Sequence, residues 1–257
     1  MIITTAGRAT KELVEKAKAL STSYNILYKE RKGVSVESLK ERYQDDIAVV
    51  GKNRLYVTPL HGESSLFFHP NLAMVRAKRF LKGEEEPFIS TAKLEEGMSF
   101  LDCTLGLASD SIIASLAVGN KGSVTGIEGN ELLHFLAKEG LATVLTEVER
   151  LDQAMRRINV VKANHEWYLR EAETDSYDIV YFDPMFPTTI DTSNGLNSIR
   201  GEALKTAITE ELIVEAKRVA KKRIVLKDHW KSGRFTQLGF TQHRRKTALF
   251  HYGTIEL

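Results

Sequence analysis

From Gly97 onward, short apolar segments alternate with amphipathic ones in a regular rhythm. Met98–Leu105 precedes a helical stretch over 109–118, Ser123–Glu128 precedes one over 130–140, and Ile158–Ala163 precedes a short one. Tyr177–Phe182, a helix near 202–220 and Arg223–Lys227 continue the series. Several of these strands are continuously apolar, as expected where both faces of a sheet are covered, and strand–helix–strand repetition implies parallel strands joined by right-handed crossovers. Thr247–Ile255 follows a turn and predicts an antiparallel partner at the sheet's edge. The expected fold class is therefore α/β: a doubly wound, mostly parallel, Rossmann-like sheet with an antiparallel final strand.

The pattern before residue 96 differs. Residues 10–20 predict an amphipathic helix capped by Thr10, and Ser35 to Tyr43 repeats that signature. Asp46–Val50 and Leu55–Thr58 flank Gly51-Lys-Asn-Arg54 and predict a hairpin. Residues 1–95 are expected to form a small α/β appendage, a candidate substrate-binding part, and residues 96–257 the core.

Composition narrows the class. The chain has 257 residues, 42% of them hydrophobic, and a net charge of +2. It has no apolar run of the ~20 residues a membrane span needs, and no basic-then-apolar leader. The single Cys103 can form no internal disulfide, and seven scattered histidines suggest no metal site. A cytoplasmic protein, with no membrane partner and no metal, is the expectation. Charge is uneven: residues 96–200 carry 16 acidic against 8 basic groups, whereas residues 201–257 carry 6 against 12. Basic flanks attract polyanions as readily as they merely solvate a surface.

In sheets of this kind ligands bind beyond the carboxyl ends of strands, where strand order reverses. The first core strand ends in Asp102-Cys-Thr104-Leu-Gly106-Leu-Ala-Ser109-Asp110, and Gly106 allows a tight turn and close ligand approach. The second ends in Glu128-Gly129, where a carboxylate can accept both hydrogens of a ribose diol. A dinucleotide site would need G-x-G-x-x-G, and only one of those glycines is present. An acid on the first strand suits a ligand with a cationic amino-acid end, which points to S-adenosylmethionine (S-adenosyl-L-methionine) as cofactor. Asn164 and His165, after the third strand, either read an adenine edge or cap the next helix.

Tyr177-Asp-Ile-Val-Tyr-Phe-Asp183-Pro184-Met-Phe186-Pro187 carries the reaction chemistry. An exocyclic amine on an aromatic ring is a weak nucleophile because its lone pair is delocalised. If the Asp183 carboxylate and the Pro184 carbonyl accept its hydrogens, that lone pair is turned toward the methyl group, and Phe186 can stack on the flat base. Basic clusters Arg76/Lys78/Arg79, Lys221-Lys222-Arg223 and Arg244-Arg245-Lys246 could neutralise phosphates, and His229-Trp230 could flank the target base, although such a Trp is more often core.

With these residues the chain resembles the RsmJ family of methyltransferases acting on a guanine N2 of small-subunit ribosomal RNA. The resemblance runs from about Phe68 to Tyr252, and Asp183-Pro-Met-Phe-Pro187 is its most specific element. It implies that Ser109, Asp110, Glu128, Gly129, Asn164, His165 and Asp183 contact the cofactor, joined by Asp102, Thr104 and Gly106 from the loop. Arg200, Lys227 and His69 are the candidate substrate contacts, and ribosomal RNA the expected partner. Residues 188–200 hold one basic residue, Arg200, where the family loop is lysine-rich. A protein amide or small amine as acceptor, or a module that binds without catalysing, are the alternatives.

Overall fold

The computed structural model describes residues 1–62, 64–184 and 208–257, which divide into two compact units parting between His69 and Pro70.

The first unit is a five-stranded sheet. Its elements run β1 (Ile2–Thr5), α1 (Lys11–Tyr24), β2 (Leu27–Tyr28), α2 (Val36–Tyr43), β3 (Ile47–Val50), β4 (Leu55–Thr58) and β5 (Leu66–Phe67), with strand order β2-β1-β3-β4-β5. The two predicted helices form with the predicted caps: Thr10 accepts from the Leu13 N–H and Ser35 from the Ser38 N–H. β3 and β4 make the predicted hairpin. β1, which the sequence pattern does not single out, pairs in parallel with both β2 and β3. All four of its residues are buried, so it shows no alternation to read.

The second unit opens with two helices, α3 (Asn71–Leu81) and α4 (Pro87–Ala92). Residues 70–95 thus pack with the core, whereas the sequence pattern places the boundary at 95/96. The reason is an aromatic cluster: Phe88 of α4 lies 5.8, 5.0 and 5.8 Å, ring to ring, from Phe100, Tyr181 and Tyr252 of the core sheet. Then follow β6 (Ser99–Asp102), α5 (Ser109–Val118), β7 (Ser123–Glu128), α6 (Glu131–Thr143), α7 (Glu149–Arg156), β8 (Ile158–Lys162), α8 (His165–Glu171) and β9 (Tyr177–Phe182). α9 (Glu210–Val219), β10 (Ala220–His229), α10 (Arg234–Gln237), β11 (Thr241–His243) and β12 (Phe250–Glu256) complete it.

Strand order in the core sheet is β11-β12-β10-β9-β6-β7-β8. β6 through β10 are parallel, and β12 runs antiparallel between β10 and β11. This is the expected doubly wound α/β sheet with an antiparallel end. Leu101, Val180, Phe182, Ile224 and Leu226 form the buried centre of one face with Leu212, Ile213 and Ala216 of α9. Among the described residues, no helix is long and apolar enough to cross a membrane, and no group of three or more His, Cys, Asp or Glu is placed to hold a metal ion.

Candidate active site

Counting outward from β6, strand order runs through β7 to β8 on one side and through β9 to β10 on the other, so the reversal falls between β6 and β9. The carboxyl ends of these two strands are stitched together. The Cys103 N–H donates to the Tyr181 carbonyl at 2.9 Å, and the Asp183 N–H donates to Thr104 Oγ1 at 2.6 Å. Asp183 and the loop after β6 therefore share one edge of the sheet, as a ligand crevice requires.

The loop itself is held by β7. Its Leu105 and Gly106 N–H groups donate to the Ile127 carbonyl (3.1 Å) and to Glu128 Oε2 (2.9 Å). Gly106 adopts φ +53°, and Ala108 is also left-handed at φ +64°. Leu105 packs onto bare backbone at Gly126, where a Cβ would lie 2.4 Å from Leu105 Cδ1. Gly126→Ala is therefore expected to force the buried Leu105 side chain aside and cost about 1–3 kcal/mol of stability by overpacking. A melting curve measures the loss, and an unchanged Tm would show that the loop accommodates the methyl without strain.

Two acids flank this loop. Glu128 accepts the Gly106 N–H on one oxygen and the Asn130 N–H (2.8 Å) on the other, so its carboxylate is fixed in orientation. Burial raises its pKa against those backbone donors and that of Gly129. Asp102 is buried, accepting from the Thr104 N–H at 3.0 Å and from Ser111 Oγ at 2.6 Å. Burial pushes its pKa up to about 7; Ser111 and Thr104 lower it, while the Asp110 and Asp183 charges raise it.

Asp110, in the first turn of α5, is the hub of a charge network. It accepts from Arg76 Nη1 at 2.5 Å, Tyr181 Oη at 2.8 Å and Lys227 Nζ at 3.0 Å. Arg76 also donates to Glu86 (2.8 Å), and Lys227 to Asp183 Oδ2 at 2.7 Å. Burial would raise the Asp110 pKa, but Lys227 and Arg76 outweigh it and hold the carboxyl well below its usual range. Asp183 is less favoured. Its side chain is a quarter exposed. Burial pushes its pKa up to about 6, Lys227 pulling it down and Asp110 pushing it up.

The residues present fit a polar ligand with a cationic group. Ser109 Oγ and His165 Nε2 are buried without a hydrogen-bond partner, each costing about 1–3 kcal/mol unless a ligand or solvent meets it. Asn164 caps α8, its Oδ1 accepting from the Glu166 (2.8 Å) and Trp167 (3.3 Å) N–H groups. The His165 ring stands edge-on to Phe182 at 6.3 Å, and burial lowers its pKa, so it is neutral near pH 7.

The structure thus gathers Asp102, Thr104, Gly106, Ser109, Asp110, Glu128, Asp183 and Lys227 on one edge, with Gly129, Asn164, His165 and the buried Pro184 at the same strand ends. Phe186 and Arg200 lie outside the described residues. His69 belongs to the first unit, exposed, with its ring 5.3 Å from Phe67. Two expected phosphate clusters are changed by the fold. Arg76 is buried with Glu86 and Asp110, whereas Lys78 and Arg79 stay exposed in surface pairs with Glu147 and Glu84. Arg223 is buried against Glu256 and the Ala92 carbonyl, while Lys222 pairs with Asp178. That run opens β10, so it lies at the opposite end of the strand from Lys227. Trp230 is 44% exposed rather than core. Arg76 and Tyr181 were not legible as site residues: one sits in a basic run, the other inside an apolar strand.

Acids at the carboxyl ends of β6, β7 and β9 on a sheet of this order define the ligand crevice of a Rossmann-like fold. Residues 66–237 match the family described as "Putative SAM-dependent methyltransferase", and the chain belongs to that family. Its cofactor is S-adenosylmethionine. The chain is 49% identical over 255 residues to "Uncharacterized protein YpiP" of Bacillus subtilis (strain 168), covering 99% of each chain. It is 24% identical over 233 residues to "Ribosomal RNA small subunit methyltransferase J" of Haemophilus influenzae (strain PittGG), covering 86% of this chain and 83% of the relative. A solved SAM-dependent methyltransferase from Neisseria gonorrhoeae shares the fold, with TM-score 0.63 at 17% identity, over 100% of this chain and 96% of that one.

Proposed function

We propose that this methyltransferase acts on an exocyclic amine of RNA, specifically a guanine N2 of small-subunit ribosomal RNA, which would place its work in the cytoplasm. The observation that carries the reading is the position of Asp183-Pro184. An acid followed by a proline closes the central strand β9, and the acid's own N–H is bonded to the loop that follows β6. The matched relatives named for small-subunit ribosomal RNA methylation favour RNA among flat amines.

In this reading Glu128 accepts the ribose hydroxyls, Asp102 and Asp110 face the amino-acid end, and Ser109, Gly129, Asn164 and His165 complete the cofactor's surroundings. When bound, S-adenosylmethionine would supply an electrophilic methyl group from its sulfonium, with the neutral thioether as the leaving group. The Asp183 carboxylate and Pro184 carbonyl accept the amine hydrogens, which fixes the direction of the lone pair; the released proton passes to Asp183 or to water. Lys227 keeps Asp183 in place and Phe186 stacks on the base. Catalysis rests on positioning and fixed charges.

Labelled methyl transfer to ribosomal RNA from cells lacking the protein tests the substrate. Label in one guanine of the small-subunit RNA, as N2-methylguanine, is the expected result; label only in protein or in small molecules overturns it. A second expectation concerns the cofactor. An Asp102 that titrates near 7 is more fully ionised at pH 8 than at pH 6, so a cationic ligand binds more tightly at the higher pH. Calorimetry should show S-adenosylmethionine affinity several-fold weaker at pH 6, and Asp102→Asn should flatten that dependence.

A further inference from the structure

We propose that the two turns at the end of β10 and at the start of β12 form a lip that docks single-stranded RNA, with Trp230 stacking an unpaired base and Arg244, Arg245 and Lys246 meeting its phosphates. The inference rests on the RNA reading above and names the surface that would carry it.

Placement comes from topology. β10 runs toward the crevice edge, where Lys227 reaches Asp183, and Trp230 lies three residues further along. β12 is antiparallel and starts beside it, with Phe250 opposite His229. β11 runs antiparallel to β12, so its last residue, His243, points the chain to the same edge and residues 244–249 turn there.

The two turns are tied to each other. The Trp230 N–H donates to the Leu249 carbonyl at 3.0 Å, and Gln242 Nε2 donates to the Trp230 carbonyl at 2.9 Å. The Arg245 N–H donates to His251 Nε2 at 3.2 Å. The turn therefore has a fixed backbone, while the Arg244, Arg245 and Lys246 side chains are exposed.

Chemistry selects the occupant. Neither turn, 229–231 or 244–249, contains an acid. The nearby Asp228 is buried and already paired with Arg234 and Ser232. Trp230 is 44% exposed; Lys231 Nζ sits over its ring, 4.7 Å from the centre, in a cation–π contact that a stacking base would share or displace, and the His229 ring is 5.9 Å away. An exposed indole among cations is the combination that binds single strands: the ring takes a base face and the cations follow the backbone. Duplex RNA offers no free base face to such a ring.

The test uses a fluorescein-labelled short single-stranded RNA of mixed sequence and the same sequence as duplex, read by anisotropy across a salt series. The wild type is expected to prefer the single strand. Replacing Arg244, Arg245 and Lys246 together by alanine should weaken binding by roughly tenfold or more and flatten the log Kd against log salt slope by about 2, at about 0.7 per lost contact. Trp230→Ala should weaken it by about 5- to 100-fold with the slope unchanged, and Trp230→Phe should restore most of it. Lys221→Glu, exposed at the other end of β10, is the control and should bind as the wild type does.

Wild-type-like binding by both lip variants, equal loss in Lys221→Glu, or no RNA binding by the wild type each overturns the lip. Methyl-transfer kinetics separate it from the reading it rests on. A raised KM for ribosomal RNA with unchanged kcat and cofactor affinity supports the lip. If the wild type methylates RNA and the lip variants keep its KM, the lip is wrong and the substrate reading stands. If the wild type binds RNA through the lip but transfers no methyl to it, the lip stands and the guanine-amine reading fails.

Discussion

Asp183→Ala is expected to leave S-adenosylmethionine affinity within a few-fold of the native protein while lowering methyl transfer by roughly 10²- to 10³-fold, the usual cost of removing one fixed polar group that acts in the transition state. The carboxylate's task in the proposed reaction is to accept a hydrogen from a flat amine whose lone pair must leave conjugation with its ring. A methyl group in its place accepts nothing. Single-turnover transfer measures the chemical step and calorimetry the binding; transfer at the native rate would remove Asp183 from the reaction. The carboxylate form is the competent one, and its pKa is pushed up to about 6 by burial. Transfer should therefore fall about tenfold per unit as pH drops below about 6 and level off above it. Lys227 is what pulls that pKa down. Lys227→Met removes the pull, so the acid limb should move toward higher pH, an effect that a purely structural lysine would not produce.

The sheet was legible because periodicity reports it. Each apolar run after Gly97 overlaps a strand of the core, and Thr10 and Ser35 mark helix starts through hydroxyls that accept backbone N–H groups. The acids of the crevice were legible for a related reason: Asp102, Glu128 and Asp183 each close an apolar strand, a position where a charge has no packing role. What the sequence concealed was partnership. Arg76 lies 34 residues before Asp110 and among other cations, so nothing local shows that it is buried with it. Arg223 is hidden in the same way by Lys221 and Lys222, although it pairs with Glu256 across an antiparallel register that only the folded sheet establishes. Trp230 misled in the opposite direction, since large aromatics usually sit in cores. α3 and α4 pack with the core through Phe88 and Arg76, single side chains that leave no compositional break in the sequence near residue 70.

Arg76→Met should be the most destabilising single change in the second unit's polar interior. Its guanidinium spans Glu86 and Asp110, and both acids are buried. Removing it leaves Asp110 with Lys227 and Tyr181 alone, and Lys227 is already shared with Asp183. Breaking a buried pair by deleting one partner costs about 3–5 kcal/mol, because the remaining charge is left poorly compensated. At about 2–4 °C per kcal/mol for a chain of this size, Tm should fall by about 10 °C. The sign with pH follows from Asp110. Its folded pKa is depressed, so its stabilising contribution is complete at neutral pH and is lost only as acid approaches the unfolded value and passes below it. The loss in Arg76→Met should accordingly be full at pH 7. The double variant Arg76→Met with Asp110→Asn separates charge from shape: without the orphaned carboxylate, it should be more stable than Arg76→Met alone, a coupling of about 0.5–3 kcal/mol. Strict additivity of the two single losses in thermal or urea melts would show that Arg76 acts through packing against Phe88, whose ring lies 5.8 Å from its guanidinium, and not through Asp110.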